Sequence, residues 1–303
     1  MKKNLIIGAA TGYKYAVMSH FFDSLKKTNF SGDVCLLVSE AIDNDTKSIL
    51  LEQGINLIYI KKSALSFARN YAQSRLWKIH NLPHKLLFRL LTIGQRNLKR
   101  LSRYVKIFHL ISGSRYCYYY DFIEANKDKY NLILLTDVRD VVFQADPFSG
   151  IDGREVLKFY EQDGSIESDF YTSYWIKHGF GKKAQVRLKD KMAICSGTTL
   201  GSIGLILDYL TKMIEVQAQI TSGLTGLGGF DQGAHNYLIY TGSFPASEII
   251  GNTIGEVVTL QDLSKISQND SMELINHNSE VICVVHQFDR FPDLKFKAII
   301  PNG

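Results

Sequence analysis

The chain has 303 residues, 45% of them hydrophobic and 21% charged, which excludes a disordered or Pro-rich linker protein. No apolar run approaches the ~18–20 residues of a membrane span. Four scattered cysteines (Cys35, Cys117, Cys195, Cys283) without a CxxC pair exclude a zinc or disulfide framework and predict buried thiols in a reducing compartment.

Residues 4–8 read as a first strand, too short for the apolar core of a signal peptide, so a cytoplasmic location is expected. A loop at 8–13 and a helix at 15–27 follow, then a strand at 33–39, a helix at 44–53 and a strand at 56–60. This β-α-β-α-β order predicts an α/β fold with a mostly parallel sheet, helices on both faces, and ligands at the carboxyl ends of the strands. The 8–13 loop sits at such an end but matches neither GxGxxG nor a P-loop.

The charge is lopsided. Residues 53–120 hold 13 of the 35 basic residues and no Asp or Glu, leaving 22 basic against 30 acidic residues elsewhere. Within this stretch Leu82, Leu86, Leu87, Leu90, Leu91, Leu98, Leu101, Val105 and Phe108 recur at helical spacing, with Lys85, Arg89, Arg96, Arg100 and Arg103 on another face. That predicts a basic amphipathic helix, or a pair broken near Gly94, either a solvated surface element or one suited to an anionic membrane or a polyanionic acceptor. No nucleic-acid-binding motif accompanies the charge.

A helix is expected at 115–124, then the clearest buried strand, 131–136, ending on Asp137-Val138-Arg139-Asp140. An apolar run at 141–144 and a turn at Asp146-Pro147-Phe148 come next. The second half predicts a strand at 156–160, an aromatic loop at 170–180 carrying Tyr174 and Trp175, and a strand running into Cys195-Ser196-Gly197-Thr198-Thr199. A helix at 204–219, a glycine-rich loop at 222–229, a helix opening at Asp231 and a last strand at 281–285 ending on His286 complete the chain.

Two carboxylates at a strand end suit Mg²⁺ or Mn²⁺, which prefer oxygen ligands and keep open positions for a substrate diphosphate. The alternative is structural: Asp137 capping the turn and Asp140 pairing with Arg139 or another base. Asp231 reads either as a helix N-cap or as a general base toward a hydroxyl. A lone His such as His286 is more often structural, yet a neutral imidazole can join carboxylates around Mn²⁺.

The segment from Leu134 through Asp137, Asp140 and Asp146-Pro147-Phe148 resembles the DxD region of GT-A fold glycosyltransferases of the bacterial surface-glycan type, which use nucleotide-diphosphate sugars. Here two residues, not one, separate the acids. The stretch 195–202 is similar to the small-residue loop along the donor sugar in that group. Asp231-Gln232-Gly-Ala-His-Asn236 is similar to its "DQ…N" helix start, and His286 to the histidine that completes its metal site. The resemblance covers most of the chain except the basic insert.

It implies one GT-A-like domain over 1–303, with a nucleotide-binding part at 1–62 and 115–150, the basic insert at 63–114, and an acceptor and catalytic part at 151–303. It implies Asp137, Asp140 and His286 as metal ligands, with Asp140 the direct one and Asp137 a second ligand or a ribose contact. It implies Ala9, Thr11, Tyr13, Glu40, Arg115, Asp137, Ser196, Gly197 and Thr198 around the nucleotide sugar, and Asp231 as base if transfer inverts. The expected partners are the donor, a glycan or lipid-linked acceptor and an anionic inner membrane face. A sugar nucleotidyltransferase is the alternative enzyme, although the 8–13 loop lacks the Lys or Arg that it would want. A non-catalytic membrane-docking protein of the same fold is the other.

Overall fold

The computed structural model describes residues 2–60, 82–151, 154–221 and 229–296. Residues 222–228 of the glycine-rich stretch lie outside the described residues. So does the basic run before residue 82, with Lys61, Lys62, Arg69, Arg75 and Lys78.

The first part follows the expected order: β1 (Lys3–Ala9), α1 (Tyr15–Lys26), β2 (Asp33–Ser39), α2 (Asn44–Glu52) and β3 (Asn56–Ile60). Asp43 starts α2 by accepting a hydrogen bond from the Thr46 amide. The basic insert forms two helices, α3 (Leu82–Thr92) and α4 (Leu98–Phe108), separated at Gly94, whose φ of +68° suits a residue without Cβ. Then come α5 (Ile111–Ala125), β4 (Tyr130–Thr136), β5 (Val141–Phe143) and β6 (Leu157–Ser165).

The expected aromatic loop at 170–180 is instead a helix, α6 (Phe170–Phe180). Asp169 caps it by accepting from the Tyr171 and Thr172 amides, and ring pairs four residues apart, Phe170–Tyr174 and Tyr171–Trp175, stack along it. After it come α7 (Lys182–Leu188), β7 (Met192–Ser202), α8 (Ile203–Gln217), α9 (Phe230–Tyr240), β8 (Glu248–Ile250), β9 (Val257–Thr259), β10 (Ser267–Gln268), β11 (Leu274–Ile275) and β12 (Val284–His286). The last strand is shorter than expected. Val281 makes only an isolated bridge to Ile275, and His286 lies inside β12, not after it.

The protein is α/β, with a mixed seven-stranded sheet in the order β3-β2-β1-β4-β7-β6-β8. β3, β2, β1 and β4 run parallel; β7 reverses, antiparallel to both β4 and β6; β8 is parallel to β6. Alternate residues feed two cores, as a period of two dictates. Leu5, Ile7, Cys35, Leu37, Ile133 and Leu135 pack under α4, α5, α8 and α9; Ile6, Leu36 and Leu134 pack with Met18, Phe21 and Phe22 of α1. Both faces of these strands are buried, which is why they read as continuous apolar runs. All four cysteines are buried and free.

A second small sheet, β5-β12-β9, sits beyond the end of β4. Its register sets His286 opposite both Val141 and Thr259, so the last strand delivers a histidine beside the chain that leaves Asp140.

Candidate metal centre

β4 ends at Thr136, and Asp137 is the next residue. Its amide donates to the Gly197 carbonyl (2.8 Å), continuing the β4–β7 ladder by one step. Gly8 of β1 permits this approach: a Cβ there would lie 2.4 Å from Val138 Cγ2 and 2.7 Å from the Thr136 carbonyl oxygen. Three residues on, the Asp140 carbonyl accepts from the Gln287 amide (2.6 Å), tying the second acid to the end of β12. The two-residue spacing between the acids therefore still brings both carboxylates to one point.

Asp137, Asp140 and His286 each offer a ligand atom, all within 4.8 Å of one another. His286 Nε2 lies 3.6 Å from Asp137 Oδ2 and 3.7 Å from Asp140 Oδ2. His286 is 2% exposed, and its Nε2 has no hydrogen-bond partner. Its Nδ1 faces Cys195 Sγ (3.3 Å) and Thr259 Oγ1 (3.4 Å), which orient the ring. A buried, unpaired imidazole nitrogen aimed between two carboxylates is what a divalent cation needs. Gly197 keeps that space open: a Cβ there would sit 2.6 Å from His286 Cε1 and 2.8 Å from Asp137 Oδ2. The three residues thus fit a Mg²⁺ or Mn²⁺ ion.

The charges are unequal. Burial pushes the Asp137 carboxyl up, but Arg115 and His286 outweigh it and hold it well below the usual carboxylate range. Asp140 is raised, first by burial. Burial opposes the charged form of His286, yet Cys195 and the two aspartates raise it well above a normal histidine. A bound cation would reverse that last effect by taking the imidazole lone pair.

Arg115, on α5, joins this centre to Asp231. One guanidinium nitrogen donates to Asp137 Oδ1 (2.6 Å), and the other donates to Asp231 Oδ2 (2.9 Å) and to the Ser196 carbonyl (3.2 Å). The residue expected at the diphosphate is thus committed to the carboxylates, with its Nε unpaired. The capping reading of Asp231 fails. Gly229 is the N-cap of α9, with φ of +96°, and Asp231 lies inside the first turn, 4% exposed, accepting from Arg115 and from the Tyr116 hydroxyl (3.4 Å). Burial raises its pKa, and Arg115 opposes the rise. The structural alternative for Asp140 holds in part: Arg139 pairs with it at 3.8 Å while reaching Asp289 at 3.5 Å, and His286 Nε2 lies 3.7 Å away.

The other expected residues divide. Tyr13 is half-buried within the field of Arg139, Asp137, Asp140 and Arg115. Ala9, Thr11 and Glu40 lie along the same carboxyl edge of β1 and β2. Ser196, Gly197 and Thr198 are not a loop but the interior of β7. The Ser196 amide and hydroxyl face Gln232 Oε1, and Thr198 is fully buried with its hydroxyl unpaired. Trp175 packs under α9, where a Cβ at Gly229 would fall 2.1 Å from its ring, so the exposed rings of α6 are Phe170 (68%) and Tyr171 (54%).

Thr259 and Tyr116 take part without having been singled out, and Cys195 and Gln232, named only within their motifs, act by touching His286 and Ser196; no local pattern says which distant side chain such residues meet. No protein-family model matches the chain, and a search of curated proteins finds no match.

Proposed function

We propose that the chain is a divalent-metal-dependent glycosyltransferase that moves a sugar from a nucleotide-diphosphate donor to a hydroxyl of a surface glycan or lipid-linked acceptor. The convergence of Asp137, Asp140 and His286 at the carboxyl end of a buried parallel strand carries this reading. Ligands of open α/β sheets bind at that edge. The order of the DxD-like, small-residue, "DQ…N" and histidine segments supports the same class.

A Mn²⁺ or Mg²⁺ ion held by these three side chains would neutralise the diphosphate as the glycosidic bond breaks. Arg115 fixes Asp231 relative to that centre through its two ion pairs. Asp231 receives the acceptor hydroxyl proton at a carboxylate oxygen; its raised pKa brings it nearer the range useful for a base. Phe170 and Tyr171 offer exposed rings beside α9, where the apolar face of an acceptor sugar would rest.

The test is nucleotide release from a panel of UDP-, GDP-, CMP- and dTDP-sugars with and without Mn²⁺. One donor should be turned over only with metal. Asp140→Ala should abolish turnover, His286→Ala should weaken Mn²⁺ binding and cost less than Asp140→Ala, and Asp231→Asn should lower turnover of the folded protein, with a lower melting temperature because its partner Arg115 is buried. No release from any donor with a suitable acceptor extract, or full activity of Asp140→Ala, sinks the reading.

A further inference from the structure

α3 and the turn that follows it carry Leu86, Leu87, Leu90 and Ile93, and all four are exposed, by 56%, 44%, 73% and 64%. The sequence pattern alone would turn such leucines inward. The rotation of the helix is set instead by Phe88, fully buried against Phe108 (5.4 Å between centroids) and His109 (5.2 Å), and by buried Thr92. At about 100° per residue, Leu86, Leu90 and Ile93 then fall together on a stripe far from the side of Phe88 and Thr92. Fourteen large hydrophobic residues are exposed among the described residues, and four of them lie in these eight positions. Such clustering marks a contact surface, whereas scattered exposed leucines would not.

The charges around the stripe choose the partner. Arg89 and Arg96 are exposed, as are Lys99, Arg100 and Arg103 on the adjoining α4. No acidic residue occurs from 82 to 120, and the next one, Asp121, pairs with Lys106. Among the described residues no helix is long and apolar enough to cross a membrane. An apolar stripe bordered by unneutralised cations fits the headgroup and acyl boundary of an anionic bilayer, where the aliphatic chains enter and the cations meet phosphate.

We infer that α3 is a monotopic membrane anchor: it lies flat on an anionic bilayer, with Leu86, Leu87, Leu90 and Ile93 inserted and the arginines of α3 and α4 on the lipid phosphates. This docking does not depend on the proposed activity.

The experiment is co-sedimentation of the full chain with vesicles of phosphatidylcholine alone or mixed with phosphatidylglycerol, at low and high salt. The wild type should bind the anionic vesicles and bind them less at high salt. Leu90→Ser with Ile93→Ser should lower the partition coefficient by about tenfold or more, since two aliphatic side chains leave the contact. Arg89, Arg96, Arg100 and Arg103 changed to Gln should abolish the preference for anionic vesicles. All six positions are exposed, so circular dichroism and melting temperature should be unchanged. The inference is overturned if the wild type binds neither vesicle, or if binding needs the arginines but is indifferent to Leu90 and Ile93. It is equally overturned if sedimentation equilibrium shows a dimer that the two serines dissociate, for then a second copy covers the stripe.

Discussion

At Gly197 one added methyl group would meet His286 on one side and Asp137 on the other. Its φ is not in the left-handed region, so alanine is tolerated by the backbone and excluded only by the site. Gly197→Ala should therefore still fold, at a cost of about 1–3 kcal/mol for the crowded His286, and lose Mn²⁺ affinity by about tenfold or more, read by titration calorimetry; wild-type affinity would place the ion elsewhere. Arg115 presents the complementary case. It is nearly buried and holds two carboxylates, so removing it would leave uncompensated charge inside, a loss of roughly 3–5 kcal/mol. The two candidate acids were readable because a strand end is a local signal. The link from residue 115 to residues 137 and 231 was not, because nothing within the sequence says which buried guanidinium meets which acid.

At the scale of elements, the most buried side-chain link between β7 and α9 is one asparagine. Asn236 accepts from the Ile194 amide and donates to the Ile194 carbonyl, both at 2.8 Å, from a fully buried position. Asn236→Ala strands both backbone groups, so unfolding by denaturant should show a loss of about 2–3 kcal/mol. A loss below 0.5 kcal/mol would mean that water replaces the amide. The same motif that suggested chemistry by resemblance thus has a mechanical duty as well. β1, β2 and β4 were legible because strands buried on both faces leave unbroken apolar runs. α6 was not, since clustered rings carry no period of their own until Asp169 caps the turn and Gly229 and Gly233 admit Trp175 against α9. In α3 the periodicity was correct, but its inward face was decided by Phe88 and its tertiary neighbours.

Over the whole molecule, pH should act through buried histidines. Burial depresses His109 and His235 to about 3, so both are neutral when folded. The unfolded chain takes up those protons near pH 6.5, so their contribution is whole above that pH and is lost as pH falls toward 3. Each accounts for about 1.4 kcal/mol per pH unit in that window. The difference in unfolding free energy between wild type and His109→Gln should shrink by that amount for each unit below pH 6; a constant difference from pH 7 to 4.5 would mean that His109 is charged in the fold. The small β5-β12-β9 sheet has a further consequence. Two donors of the candidate centre come from residues 137 and 140 and the third from residue 286, brought home only by strand register. A chain interrupted between Asp140 and β12 would keep both aspartates and still lack the imidazole, so such nascent or proteolysed fragments would hold only part of the centre, and the full donor set would arrive in one step with the final strand.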